Sequence, residues 1–388
     1  MINFINNIEL NLFTYFFSVI LLIPLHSPAN SPPLNQITDH PEQDSTELDL
    51  KIGRMLMVGF RGYSIDESEH IRRDLNEYHL GGVVLFDYDV PRGIPERNVE
   101  SPQQLKGLVS QLQETANNPL LIAIDQEGGS VARLKPDRGF PMTVPAQHLG
   151  EQHHADTTQS YSRKIARTLS ELGINVNLAP VVDLNLNPEN PIIGKIGRSF
   201  SDDPEVVARH AEIFIESHRQ YGVMTALKHF PGHGSSKEDS HLGMVDVTEL
   251  WQEVEVEPYR DLIESGHADM IMTAHIFNEL WDTEYPATLS SAVITGILRN
   301  ELGFEGVVIS DDMQMDAIRD HYGLETAIKQ AILAGVDILI FANNSIYDPD
   351  IVPTAHQIIR RLIDQGEISE ERIDESYRRI QDLHYSPR

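Results

Sequence analysis

From residue 50 onward, short continuous apolar runs alternate with stretches whose apolar residues recur every three or four positions. The runs fall at 55–60, 81–86, 120–125, 176–183, 223–229, 270–275, 306–311 and 338–342, which makes eight. They are rich in Val, Ile and Leu and show no polar alternation. That pattern predicts parallel strands buried on both faces.

The intervening stretches carry helix signals. Asp203-Pro204-Glu205 combines an N-cap residue, a proline suited to the first turn and an acid beside the helix N-terminus. Val206, Ile213 and Phe214 are then expected on one face, and Gly222 is expected to stop the helix. Ile165, Leu169 and Leu172 repeat at helical spacing before Gly173, as do Leu324, Ile328 and Ala331 before Gly335. Ser369 is placed to cap a last helix carrying Ile373, Tyr377 and Ile380. Strand and helix in strict alternation predict a single α/β domain, a (β/α)8 TIM-type barrel. A doubly wound open sheet is the competing arrangement.

The barrel makes a demand that the sequence can answer: polar chemistry should gather at the C-terminal ends of the strands. Asp125 ends the third run, Asp183 the fourth, Lys228-His229 the fifth, His275 the sixth and Asp311 the seventh, while Asn343 and Asn344 follow the eighth. After the fifth run comes Lys228-His229-Phe230-Pro231-Gly232-His233-Gly234, then Asp239-Ser240-His241. Gly and Pro keep this segment out of a helix interior. An Asp two residues before a His can hold its imidazole and favour the protonated ring, so Asp239 and His241 are candidates for a proton-donating pair.

Asp311 and Asp312 are neighbours at a strand end and point apart. Asp311 is assigned to the barrel mouth and Asp312 to a structural role behind it. Asp125-Gln126-Glu127-Gly128-Gly129 forms another strand-to-loop junction, with glycines that would let backbone approach a ligand closely. Asp125 suits bidentate hydrogen bonding to sugar hydroxyls, and Arg133 and Arg198 supply cationic donors.

Net charge is −29 with a sequence pI near 4.8, which argues against nucleic acid or anionic lipid as a partner. There is no cysteine, so disulfides, zinc thiolate sites and cysteine nucleophiles are excluded. Residues 12–25 are apolar but short for a membrane span, and Ser27-Pro28-Ala29 offers small residues for cleavage. No Lys or Arg precedes that run. The expectation is a signal-like segment over 1–29, a polar linker over 30–49 and a catalytic domain over 50–388. The protein would then be periplasmic or secreted, monomeric and without stable membrane insertion after cleavage; a cytoplasmic location is the alternative.

Lys228-His229-Phe-Pro-Gly-His-Gly with Asp239-Ser-His241, Ile124-Asp125-Gln-Glu-Gly-Gly, and Ser310-Asp311-Asp312-Met313 resemble the bacterial β-N-acetylglucosaminidases (β-N-acetylhexosaminidases) of glycoside hydrolase family 3. The likeness spans roughly residues 50–388. It implies a barrel enzyme that releases terminal β-linked N-acetylglucosamine from peptidoglycan-derived or chitooligosaccharide glycans with retention of configuration. By the same resemblance Asp311 is the nucleophile and His241 the general acid/base, paired with Asp239. Asp125, Arg133, Arg198, Lys228 and His229 bind the sugar ring, and no metal or cofactor takes part. Ser130 departs from the family pattern, in which Arg often follows the two glycines.

Other readings stay open at this level. A β-glucosidase-like relative usually adds a second domain and lacks the Asp-Ser-His loop. A phosphorolytic relative would use phosphate in place of water. Outside that class, His229, His233, His241, His275 and Asp311 could be metal ligands of an amidohydrolase, although the first strand run lacks a His-x-His pair. A barrel of this kind could also bind sugar without turnover.

Overall fold

The computed structural model describes residues 41–152, 154–239 and 243–385. The apolar segment at 12–25 and the cleavage-like Ser27-Pro28-Ala29 lie outside them, as does His241. Eight parallel strands close into a barrel: β1 (Leu56–Gly59), β2 (Gly82–Leu85), β3 (Leu121–Ile124), β4 (Val176–Asn177), β5 (Met224–Phe230), β6 (Met270–Thr273), β7 (Val307–Asp312) and β8 (Ile338–Phe341). Each strand pairs with its sequence neighbours, and β8 pairs with β1 in the register Met57↔Ile340. The open sheet is thereby ruled out. Barrel positions such as Val83, Ile122, Leu227 and Ile309 have no exposure, the burial on both faces that unbroken apolar runs imply.

The fourth run is the irregular one. Its ladder covers only Val176–Asn177, because Pro180 has no N–H to donate. Past that point contact with β5 continues as separate hydrogen bonds: Lys228 N–H to the Pro180 carbonyl at 3.2 Å, and Val182 N–H to the Lys228 carbonyl at 2.8 Å. The peptide bonds Ala179–Pro180, Lys228–His229 and Phe230–Pro231 are cis.

Asp203 caps the helix Pro204–Arg219, its Oδ1 accepting the Glu205 N–H at 2.9 Å. The buried face is rotated from the expected one. Val207, Ala211, Phe214 and Ile215 point inward, whereas Val206 and Ile213 are only half-buried. The helix ends at Arg219, with Gln220 as its C-cap, and Gly222 comes after it. Gly173 and Gly335 follow the helices they were expected to end, Ala155–Leu172 and Leu324–Ala334. Ser369 Oγ accepts the Arg372 N–H at 3.3 Å at the start of the last helix, Glu370–Tyr385, with Ile373 and Ile380 buried and Tyr377 half-buried.

The polar linker expected over 30–49 is helical from Pro41 onward. The helix Pro41–Arg54 seats Leu48 and Ile52 in the core and leads directly into β1. Glu42–Arg388 forms one compact unit.

Candidate active site

The C-terminal ends of β3, β4 and β5 carry charged side chains that interlock. Lys228, on β5, is only 2% exposed, and its Nζ donates to Asp125 Oδ1 at 2.8 Å and lies 2.7 Å from Glu127 Oε1. Arg133 Nη2 donates to the other Asp125 oxygen at 3.1 Å. Arg198 grips Glu127 with two bonds, Nε to Oε2 at 2.8 Å and Nη2 to Oε1 at 2.7 Å. Cations and carboxylates thus alternate from Arg133 through Asp125, Lys228 and Glu127 to Arg198.

Arg198 also connects this series to a histidine. Its Nη2 stands 3.2 Å from His229 Nε2, while His229 Nδ1 lies 2.7 Å from Asp183 Oδ2. A guanidinium can only donate, so Nε2 must accept and the ring proton sits on Nδ1, facing Asp183. Asp183 is fully buried, and its second oxygen accepts the backbone N–H groups of His229 and His233 at 3.1 and 2.8 Å.

The ionisations follow from this packing. Burial works to raise the pKa of Asp125, but the adjacent charges of Lys228 and Arg133 outweigh it and hold the carboxyl below its ordinary range. Glu127 is lowered in the same way, against burial, by Arg198 and Lys228. Burial opposes the charge on Lys228, and Asp125 with Glu127 raise its pKa in spite of it. These groups therefore remain charged across the neutral range, and each depends on its neighbours. Lys228→Ala would leave two buried carboxylates sharing too few cations. It should destabilise the fold by about 3–5 kcal/mol, measured by urea unfolding beside the parent protein.

Asp125 and Arg133 keep 15% and 27% of their side-chain surface, so they face the barrel mouth while Lys228 supports them from behind. Among the described residues, the buried Nε of Arg133 has no hydrogen-bond partner. On the opposite side Asp311, one residue before the end of β7, is half-buried, its Oδ1 accepting the Asp312 N–H at 2.8 Å. Asp312 turns away, as expected. Its Oδ1 accepts the N–H groups of Gln314 at 3.1 Å and Ala342 at 2.9 Å, tying β7 to the end of β8. Asp311 is near enough to His233 to act on its ionisation, although burial dominates there and lowers the His233 pKa to about 4. The His233 and His229 rings meet edge to face at 6.2 Å. Asp239 is described and half-buried on the loop after β5.

Several rim residues have structural work instead. His275 is fully buried, with Nε2 donating to the Asp312 carbonyl at 3.0 Å and Nδ1 paired with the Thr288 hydroxyl at 2.8 Å. Asn343 Nδ2 donates to the carbonyls of Gly59 and Asp348. Asn344 Oδ1 accepts from Arg97 and from the Val90 N–H. The glycines after Glu127 form the turn of a small hairpin, Gln126–Gly128 with Val131–Ala132. Their closeness serves the chain itself: a Cβ on Gly128 would stand 2.3 Å from the Val144 carbonyl oxygen, and one on Gly129 2.7 Å from Pro145 Cα.

Among the described residues, the mouth histidines and carboxylates do not bring three ligand atoms to metal-binding distances. The group that does is Glu212, Glu216 and His267, on the helix Pro204–Arg219 and the turn preceding β6. Two network members, Glu127 and Asp183, join the site only in the folded structure. Glu127 sits inside the quoted Asp-Gln-Glu-Gly-Gly motif and Asp183 at a predicted strand end. Glu127 meets Arg198 from 71 residues away and Asp183 meets His229 from 46, too far for local spacing to pair them.

Comparison with known proteins agrees with this architecture. The chain is 37% identical over 295 residues to a beta-hexosaminidase of Tolumonas auensis, covering 74% of this chain and 83% of that one. It is 34% identical over 327 residues to beta-hexosaminidase A of Pseudoalteromonas piscicida, covering 74% of this chain but only 52% of that protein, so it spans about half the length of that relative. Among solved structures, a glycoside hydrolase family 3 beta-N-acetylglucosaminidase from Paenibacillus superposes with a TM-score of 0.79 at 37% identity, over 87% of this chain and 62% of that one. The beta-N-acetylhexosaminidase of Beutenbergia cavernae gives 0.76 at 28% identity, over 86% and 97%. The family model for the glycosyl hydrolase family 3 N terminal domain matches residues 47–383, the whole barrel and part of the helix that enters it. With its closed barrel and motif-bearing strand ends inside that match, the chain belongs to glycoside hydrolase family 3.

Proposed function

We propose that this protein hydrolyses terminal non-reducing β-linked N-acetylglucosamine from glycans, with retention of configuration, through a covalent glycosyl intermediate on Asp311. The observation that carries the reading is the convergence at one barrel mouth of Asp311 with the interlocked charges of Asp125, Arg133, Arg198 and His229. A retaining glycosidase needs a nucleophile and a proton donor flanking the scissile bond. Asp311 attacks the anomeric carbon while His241 protonates the departing oxygen. The glycosyl ester is then opened by water, from which His241 takes the proton. Asp239 orients His241 and favours its charged form. Asp125 and Arg133 hold the sugar hydroxyls, and Arg133 Nε, without a partner among the described residues, is a donor that a hydroxyl can satisfy. Lys228 keeps Asp125 ionised and fixed in place. Among the described residues no helix is long and apolar enough to cross a membrane.

Fragments with N-acetylglucosamine on anhydro-muramic acid are the preferred natural substrates, with chitooligosaccharides second. The family reading predicts a strong preference for the 2-acetamido sugar, because buried polar groups built for a substituent reject a substrate that lacks it, by roughly 10⁴-fold in the strongest cases. Hydrolysis of nitrophenyl N-acetyl-β-glucosaminide is to be compared with the nitrophenyl β-glucoside, with and without phosphate. Free N-acetylglucosamine should form under both conditions. Equal turnover of the two sugars would refute the assignment, and a sugar phosphate would make the enzyme a phosphorylase.

A further inference from the structure

The chain between β5 and Asp239 is held by a carboxylate that belongs neither to the sugar-facing network nor to the catalytic pair. Glu255, in the short helical turn Glu253–Val256, is fully buried. Its Oε2 accepts the backbone N–H of Gly234 at 2.9 Å and that of Ser235 at 3.3 Å, and its Oε1 accepts the Gln252 N–H at 3.3 Å. Gly232 packs directly against it: φ there is +118°, and an added Cβ would stand 2.6 Å from Glu255 Cβ.

The other side of this stem is tied by asparagines from the loop after β4. Asn190 Nδ2 donates to the His233 carbonyl at 2.8 Å, and Asn187 Nδ2 donates to the Ser236 carbonyl at 2.8 Å. Asp183 joins the stem to the sugar-facing side, since one of its oxygens receives both His229 N–H and His233 N–H.

Glu255 is chemically unlike the network carboxylates. Burial raises its pKa to about 7, and the charge acting on it is another carboxylate, Asp183. Among the described residues no cation pairs with it, and an acid so buried is costly and needs a structural reason. Here the reason is two successive backbone donors, Gly234 and Ser235, that the turn after β5 leaves without a strand partner. Only Ser236, Lys237 and Glu238 lie between Ser235 and Asp239, so a shift in the stem is carried into the expected acid/base segment.

We propose that Glu255 is a positioning residue for catalysis, fixing the stem Gly232–Ser236 and through it the placement of Asp239 relative to Asp311. The inference rests on the glycosidase reading above. Because Asp183, Asn187 and Asn190 still hold the stem when Glu255 is changed, the fold and the sugar-binding network survive. What is lost is the alignment of the proton donor. A misplacement near 1 Å costs on the order of a hundredfold in rate, and the cost concentrates where protonation of the leaving group matters.

The test compares Glu255→Gln and Glu255→Ala with His241→Ala on a nitrophenyl N-acetylglucosaminide and on a disaccharide. For Glu255→Ala, kcat on the disaccharide should fall about a hundredfold and fall clearly less on the nitrophenyl substrate. KM should stay near the parent value; the thermal melt should drop, because two buried N–H groups lose their acceptor, so rates are compared at a temperature where all variants remain folded. Glu255→Gln keeps the volume and one acceptor oxygen and should lie between; it decides the matter if the alanine variant does not fold. Equal losses on both substrates, or losses that track the melt, would overturn the proposal. If His241→Ala discriminates between leaving groups and the Glu255 variants do not, the proposal falls alone. If His241→Ala does not discriminate either, the acid assignment falls and takes the proposal with it.

Discussion

Replacing Asp311 by Asn should remove nearly all turnover, on the order of 10⁴-fold or more, while the protein melts as before. The stability half of that expectation comes from the local geometry. Asp311 is half-buried, and the load-carrying acid at this strand end is its neighbour. Asp312 receives the N–H groups of Gln314 and Ala342 and so links β7 to the end of β8. The activity half comes from the chemistry: a covalent glycosyl intermediate has no substitute for its nucleophile. A fluorinated glycosyl label that traps the intermediate should therefore attach to a peptide containing Asp311. A label on Asp125 or Asp183 would move the nucleophile to another strand end. The charge network argues against that outcome, because Lys228 and Arg133 hold Asp125 and because His229 with two backbone N–H groups holds Asp183. A carboxylate so engaged is a poor nucleophile, whereas Asp312 would give the reciprocal signature: Asp312→Asn should disturb the β7–β8 junction first.

The barrel was legible because its strands are buried on both faces, which writes them as unbroken apolar runs that need no partner to be recognised. Strand β4 was overextended for an equally local reason, since hydropathy does not register that Pro180 interrupts the ladder. The face of the helix Pro204–Arg219 was misjudged because polar residues share its buried side. His210 pairs with Thr158 at 2.8 Å and His218 with Asn177 at 3.0 Å, and an apolar count passes over both. The helix at Pro41–Arg54 was hidden similarly, because its polar first half masks the two residues, Leu48 and Ile52, that anchor it.

The site separated along the same line. Residues at strand ends were legible as members of a rim, since the barrel topology brings every such end to one face. Their division of labour was not. His275 and Asn343 have the same sequence address as His229 and Asp311, yet both are buried struts. Which polar residue reaches the mouth depends on pairings across tens of residues, such as Lys228 with Asp125 or Arg198 with Glu127. The motifs carry only part of the network, Lys228, His229, Asp125 and Glu127, and only the folded geometry ties Asp183, Arg133 and Arg198 to them and shows which members brace the others.

The loop that follows this network carries the second large effect. If His241 is the acid, its loss hurts most when the leaving group needs protonation, and a sugar alkoxide does while a nitrophenolate does not. His241→Ala should therefore lower kcat/KM on a disaccharide by about 10²–10⁴-fold more than on the nitrophenyl substrate, the range usual for general acid–base catalysis. Asp239→Asn should move the same way but less far, because Asp239 orients and charges the imidazole without transferring the proton. Removing that carboxylate also removes a charge that favours the protonated ring, so the alkaline limb of the pH–rate profile should shift to lower pH in Asp239→Asn. Added azide should restore turnover of the nitrophenyl substrate by His241→Ala, since a small anion can attack the glycosyl ester without a general base. A uniform loss across leaving groups with an unchanged melt would take His241 out of the acid/base role. His233 would then be the next residue to test: Asp311 acts on it, yet burial lowers its pKa to about 4 and leaves it neutral near pH 7, which suits a base better than an acid.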